Sequence, residues 1–280
     1  MQNYNGFSEK IARGYTLRER AGLVIAQSDG LAGIPEIAHG FSTRVGGVSS
    51  APFDSLNFSL TRDDNKANVA RNYRVFCSAF GFDPASVVLI NHEHGTNVLR
   101  VDRSFAGRGL VREPLPYCDG LITDDPTVTL FTLHADCSCV YIYDREHHAI
   151  GIAHAGWKGT FRRVGQIMAE KMADEFGTKP EDAVAAIGPC ICRDCFEVDE
   201  SIGEDFAREF DFDGIRKAGK PGKAYVDIEA ALAIQLLDAG VRPENMSIMG
   251  LCTYERRDLF YSYRRDRESA GAMIGFMKLI

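Results

Sequence analysis

The sequence predicts one layered domain that mixes helices and strands, of the α/β or α+β type. Runs of β-branched and aromatic residues alternate with helical periods from about residue 37 onward. No internal repeat, low-complexity linker or shift in composition marks a second domain. The 280 residues, 45% of them hydrophobic, suffice for one sizeable core.

Residues 1–36 read as a leader packed on the domain, with a strand near "GLVIAQ", and residues 37–280 as the domain itself. "HGFSTRVGGVSSAPFDSLNFSL" starts as a strand and continues, rich in Gly, Ser and Pro, as a long structured loop. In "NKANVARNYRVFCSAFGF" the apolar Val69, Tyr73, Phe76 and Phe80 recur at helical spacing, and Gly81 stands where a C-cap belongs. "SVVLINHEHGTNVLRVD" reads as a strand, a turn at Gly95 and a return strand. "GLITDDPTVTLFTLHADCSCVYIYD" gives a short strand, a turn at Asp125 and Pro126, and a long apolar strand pair or run. "HAIGIAHAGWKGTFRRVGQIMAEKMADEF" adds a strand, a small glycine-rich turn and an amphipathic helix that carries Val164, Ile167, Met168 and Met172 on one side.

The same alternation continues to the end. "AVAAIGPCICRDCFEV" is strand and loop, while "SIGEDFAREF" and "DIEAALAIQLLDAG" are helices. "FDGIRKAGKPGKAY" reads as a solvated loop and "LFYSYRRDRESAGAMIGFMKLI" as closing strands.

A net charge of −7 argues against unspecific binding to nucleic acid. No apolar run reaches the roughly 20 residues of a membrane span, and "MQNYNGFSEKIARGYTLRER" lacks the apolar core of a secretory signal. A cytoplasmic chain with no membrane partner is expected. Eight cysteines in a chain this long and core-rich read as reduced thiols rather than staples. "CICRDC", residues 190–195, suggests a zinc knuckle or a redox pair, but the other half of a four-cysteine site is missing, so buried or loop thiols are expected there.

The candidate chemistry lies at strand ends. His94 precedes Gly95 at a turn, His154 stands in "AHAGWKG" after an apolar strand, and Cys137 stands in "HADCSCV" at the entry to another. One thiolate and two imidazoles suit a borderline-soft divalent ion and leave a fourth tetrahedral position open. The same residues also suit a metal-free site, with Cys137 as nucleophile and His154 as its base. His147 and His148 fall in the polar turn "DREHH", where exposure is expected, and His39 is undecided. Arg44 before paired glycines, Lys158 in "GWKG", and Arg264 with Arg265 in "SYRRD" are candidates for phosphate oxygens.

In order along the chain, "HGFSTRVGGVSSAPFDSLNFS", "HEHGTNV", "DGLITDDPTVTLFTLHADC", "IAHAGWKGT", "AAIGPCICRDCFEV" and "FYSYRRD" resemble the laccase-domain or polyphenol-oxidase family, now largely understood as purine nucleoside phosphorylases. The resemblance implies a single-domain, layered α/β/β/α sandwich with mixed sheets. It also implies a zinc ion on His94, Cys137 and His154, with copper as the alternative occupant. Arg44 and Arg264 become candidate phosphate or substrate contacts, joined by Lys158 where the family has arginine. The sequence departs from the family pattern at His92, which replaces a glutamine and becomes a candidate ligand or substrate contact. It departs again at His134, and at "SAGAM", residues 269–273, where a late arginine is lost. The expected reaction is phosphorolysis of purine nucleosides by phosphate, with adenosine deamination as a companion activity, in a monomer or homodimer. An amidase acting on peptidoglycan precursors and a silent purine-binding module are the alternatives. A multicopper oxidase needs many more histidines than the seven present.

Overall fold

The computed structural model describes residues 4–280; the first three residues of the leader lie outside the described residues. The strands are β1 (Ala12–Arg13), β2 (Tyr15–Arg20), β3 (Leu23–Ser28), β4 (Ile37–Ser42), β5 (Val87–Leu89), β6 (Val98–Arg100), β7 (Gly120–Thr123) and β8 (Thr129–His134). They continue with β9 (Ser138–Asp144), β10 (Ala149–Ala155), β11 (Val184–Ile187), β12 (Glu197–Asp199), β13 (Arg216–Ala218), β14 (Lys223–Val226), β15 (Met246–Ile248) and β16 (Met273–Leu279). A first mixed sheet has the order β1-β15-β11-β9-β10-β7-β6 and a second β2-β3-β4-β16-β8-β5. A small antiparallel sheet, β12-β14-β13, flanks them. Residues before 37 thus contribute strands to both large sheets.

Alternation along β9 and β16 shows how the layers stack. Tyr141 and Tyr143 of β9 share one apolar cluster with Met273 and Met277 of β16, which fills the space between the two sheets. The intervening Val140 and Ile142 face the opposite way, against Val164, Met168 and Met172 of helix Val164–Phe176 and Leu232 of helix Ile228–Asp238. Ile274 and Phe276 likewise turn outward, against Val69, Tyr73 and Phe76 of helix Lys66–Phe80. The result is the four-layered α/β/β/α sandwich with mixed sheets. Strands buried on both faces favour apolar residues at successive positions, which accounts for the apolar runs 139–143 of β9 and 149–153 of β10.

Helix Lys66–Phe80 begins where the Asn65 side chain accepts from the Ala67 N–H and ends at Gly81, whose φ of 69° closes the helix in the left-handed region. Three expectations change. The charged "FDGIRKAGKPGKAY" includes the hairpin β13–β14, whose inward Ala224 and Val226 are hidden among lysines and glycines. In the last segment only Met273–Leu279 is a strand; Tyr263–Asp266 is a helical turn started by Ser262, whose side chain accepts from the Arg265 N–H. Finally, β5 and β6 do not pair with each other: β5 lies beside β8 in the second sheet and β6 beside β7 in the first. The segment between them therefore crosses from one sheet to the other, as does the β8–β9 connection.

His39 sits in the core, where its Nε2 accepts from the Ser28 N–H at 3.1 Å. Burial lowers its pKa from the ordinary 6.5 to about 4. The unfolded chain takes up a proton near pH 6.5 that the folded chain refuses until about pH 4. This residue's contribution to stability is therefore complete above pH 6.5 and is lost as pH falls toward 4, by about 3 kcal/mol. His39→Gln, which keeps an acceptor for Ser28, should flatten that part of a plot of urea midpoint against pH. An unchanged slope would refute the assignment.

Candidate metal centre

Both crossings between the sheets bring donor side chains to one place. The β5–β6 crossing carries His92 and His94, the β8–β9 turn carries Cys137, and His154 ends β10. One ligand atom from each of His92, His94 and His154 lies within 4.8 Å of the others. The thiol of Cys137 hydrogen-bonds to His154 and His94. A β-carbon at Gly156 would fall 2.9 Å from His94 Cδ2 and 3.1 Å from Cys137 Sγ, so only glycine fits beneath this group.

Asp119 orients the set from behind. Its fully buried carboxylate accepts from the backbone N–H groups of Glu93 (3.4 Å), His94 (3.0 Å) and Gly95 (2.7 Å), and from His154 Nδ1 at 3.1 Å. Burial would raise its pKa, but the His154 and backbone donors outweigh it and hold the carboxyl below the ordinary range. Since Nδ1 of His154 donates to this carboxylate, Nε2 is the nitrogen it turns toward the site. His94 itself takes the positive φ of 64° at this turn, rather than Gly95; three backbone bonds to Asp119 hold it there.

The electrostatics favour a charged sulfur. Burial alone would raise the Cys137 pKa, yet His154 and His94 bring it down to about 7. Burial alone would lower that of His154, yet Cys137 and Asp119 raise it to about 9. His92, whose ring centroid is 4.3 Å from that of His154, is driven to about 3 by burial and by the two neighbouring imidazoles, and is neutral. His134 is buried with both nitrogens engaged, Nδ1 with the Cys137 carbonyl at 3.1 Å and Nε2 with Thr132 Oγ1 at 2.7 Å. It braces the β8–β9 turn and has no lone pair left for a ligand. His147 is bound to Asp144 in its exposed turn.

Three imidazoles and one thiol on an oriented frame fit a divalent ion of the zinc or copper type by donor chemistry. Imidazoles 92, 94 and 154 could hold a metal on their own, and Cys137 adjoins two of them. These donors form the floor of a cavity of about 810 Å³, ample for a ligand of nucleoside size. Its walls include Arg62, Arg264, Arg267, Trp157, Phe196 and Tyr263.

Of the basic candidates, Arg264 lines the cavity; its Nη1 donates to the Glu197 carbonyl at 2.8 Å and its guanidinium lies over Phe196. Arg44 and Lys158 do not line it. Arg44 is drawn to Asp54, through Nε to the carbonyl at 2.7 Å and Nη2 to the carboxylate at 3.3 Å, and stacks on Tyr261. Lys158 is exposed, with Nζ 5.6 Å from the Trp157 ring. Asp119, Arg62 and Arg267 are additions that the sequence did not single out. Only the "DG" preceding a strand hinted at the first, and a polar loop at the second.

Layered fold and metal-competent cavity together define a member of one family. Residues 38–280 match the family described as multi-copper polyphenol oxidoreductase laccase, and the chain belongs to it. The purine nucleoside phosphorylase YlmD of Bacillus subtilis is 35% identical over 247 residues, covering 86% of this chain and 88% of the relative. A purine nucleoside phosphorylase of Deinococcus radiodurans is 36% identical over 239 residues, covering 85% and 87%. The crystal structure of YlmD from Geobacillus stearothermophilus superposes with a TM-score of 0.87 at 30% identity, over 94% of this chain and 97% of that one.

Proposed function

We propose that this chain is a zinc-dependent purine nucleoside phosphorylase acting on adenosine, inosine or methylthioadenosine, releasing the free base and a pentose 1-phosphate. The observation that carries the reading is one cavity with imidazole and thiol donors at its floor and three arginines and three aromatic rings in its walls. The relatives' activity supports it. Arg62, Arg264 and Arg267 balance the charge of phosphate, while Trp157, Phe196 and Tyr263 offer flat apolar faces to a purine. His92, neutral, donates an N–H to the departing base rather than a proton. Zinc on His94, Cys137 and His154, with His92 beside them, would supply Lewis-acid polarisation of an oxygen; copper suits the same donors. Hydrolysis at C6 of adenosine, in which water replaces the amino group to give inosine and ammonia, is the companion activity proposed for the same floor.

The family description invokes several coppers, but only His92, His94 and His154 form a histidine ligand group among the described residues. His39 and His134 are engaged in the core. The low-lying thiol of Cys137 beside His154 favours a second reading, an amidase that cleaves peptidoglycan precursors through a cysteine nucleophile. A silent purine-binding module is the third. The acidic balance of the chain supports a small-molecule substrate over nucleic acid.

Incubation of metal-loaded protein with inosine and with adenosine, with and without phosphate, tests the proposal by chromatography of the products. Phosphate-dependent hypoxanthine or adenine is expected, falling by about 100-fold or more in Cys137→Ala, beyond the roughly 10–100-fold that loss of an orienting partner costs. Purine bound without turnover would leave the silent module, and amine release from a muropeptide without phosphate the amidase.

A further inference from the structure

The structure places further donor side chains beside "CICRDC". A parallel bridge between Cys190 and Cys252 lays residues 190–195 beside residues 251–255, through Cys190 N–H to the Leu251 carbonyl at 3.1 Å and Thr253 N–H to the Cys190 carbonyl at 3.0 Å. Each strip then turns back on itself. Cys195 N–H returns to the Cys192 carbonyl and Arg256 N–H to the Cys252 carbonyl, both at 3.0 Å. Cys-Arg-Asp-Cys and Cys-Thr-Tyr-Glu therefore face each other as two tight turns, each offering a donor at its first and fourth positions.

The four donor atoms, from Cys192, Cys195, Cys252 and Glu255, all lie within 4.8 Å of one another. Cys195 Sγ is 3.7 Å from Glu255 Oε1. Tetrahedral zinc with its usual bond lengths separates sulfur and oxygen donors by roughly 3.5 Å and two sulfurs by roughly 3.8 Å. The backbone supplies the outer support that a metal thiolate requires: Cys192 N–H points at Cys252 Sγ at 3.4 Å, and the N–H groups of Tyr254 and Glu255 converge on the same sulfur. Arg265 brings positive charge to this turn, with Nη1 on the carbonyls of Thr253 (3.1 Å) and Tyr254 (2.7 Å). All three cysteines are free thiols.

We propose that Cys192, Cys195, Cys252 and Glu255 bind a second, structural divalent cation of the zinc type, separate from the donors on the cavity floor. With four protein ligands this site is closed, as structural zinc sites are. Its place gives it a task. Ile191 and Phe196, which bracket the first turn, line the cavity wall, and the Cys195 carbonyl lies 3.5 Å from Arg264 Nη1. The ion pins that wall to residues 252–255.

The test uses the full chain, reduced with a phosphine, loaded with zinc or cobalt and desalted. Metal analysis should find two equivalents in the unaltered protein. A Cys137→Ala/His154→Ala variant should keep one, and its cobalt form should show the intense sulfur-to-cobalt charge-transfer and tetrahedral bands of a three-thiolate site. Cys192→Ser/Cys195→Ser should lose that equivalent and those bands, with circular dichroism checking its fold. Absence of cobalt–thiolate bands in Cys137→Ala/His154→Ala would overturn the proposal even if the serine variant did not fold. So would a disulfide among Cys192, Cys195 and Cys252 that persists in the reduced protein, or an unchanged metal content in a folded Cys192→Ser/Cys195→Ser chain.

Discussion

Asp119→Asn is expected to lower the affinity of the cavity floor for zinc by about 10–100-fold, and phosphorolysis with it. One carboxylate oxygen accepts from the His94 N–H and the His154 ring, the other from the N–H groups of Glu93 and Gly95. An amide has one oxygen and must turn its NH₂ toward one of these donor pairs. Each donor left unpaired in this buried place costs about 1–3 kcal/mol. The asparagine can satisfy His154 or the Gly95 turn, so either the imidazole loses its fixed tautomer or His94 loses its left-handed backbone. Asp119 touches no substrate, so it is a positioning residue, and the informative readout is metal competition against a chromophoric chelator. Affinity equal to that of the unaltered protein, in a folded Asp119→Asn chain, would remove Asp119 from the account.

Phe76→Ala should show the largest loss of stability of any single change considered, about 3–5 kcal/mol. Phe76 is fully buried under the second sheet, and its ring centroid lies 5.4 Å from Phe58, 4.8 Å from Phe80, 5.7 Å from Phe131 and 5.4 Å from Phe276. Truncation empties the centre of an aromatic cluster whose other members come from the loop before the helix, the helix itself and two strands. The cavity cannot close without moving the helix away from the sheet. Against a total of about 5–15 kcal/mol for a domain, the loss would be visible as a sharply lower urea midpoint with little change in slope. A loss below about 1 kcal/mol would mean that the helix repacks.

Much of the fold was legible because its signals are local. Helix Lys66–Phe80 announces its apolar face and its closing Gly81 within a single stretch. The donors His94, Cys137 and His154 were legible for a similar reason, each being a reactive side chain beside a turn at the end of an apolar run. What escaped depends on contacts between distant segments. Asp119 bonds to residues 24 to 35 positions away, and in the sequence it is only an acid before a glycine. Arg44 and Arg62 sit in the same long loop, yet Arg44 pairs with Asp54 away from the cavity while Arg62 pairs with Glu268 and lines it. Cys252 and Glu255 could not be matched to Cys192 and Cys195 before the parallel bridge that aligns them was known. The β13–β14 hairpin was hidden because lysines and glycines dilute a two-residue period too short to stand out.

The donors of the cavity floor belong to no single layer. His92, His94 and Cys137 ride on chain that leaves the second sheet for the first, whereas His154 is anchored in the first. The spacing of these side chains therefore depends on the gap between the sheets, which Tyr141, Met273 and Met277 help to fill. Exchanges of bulk among those apolar residues are expected to alter the spacing of the candidate donors without touching any of them.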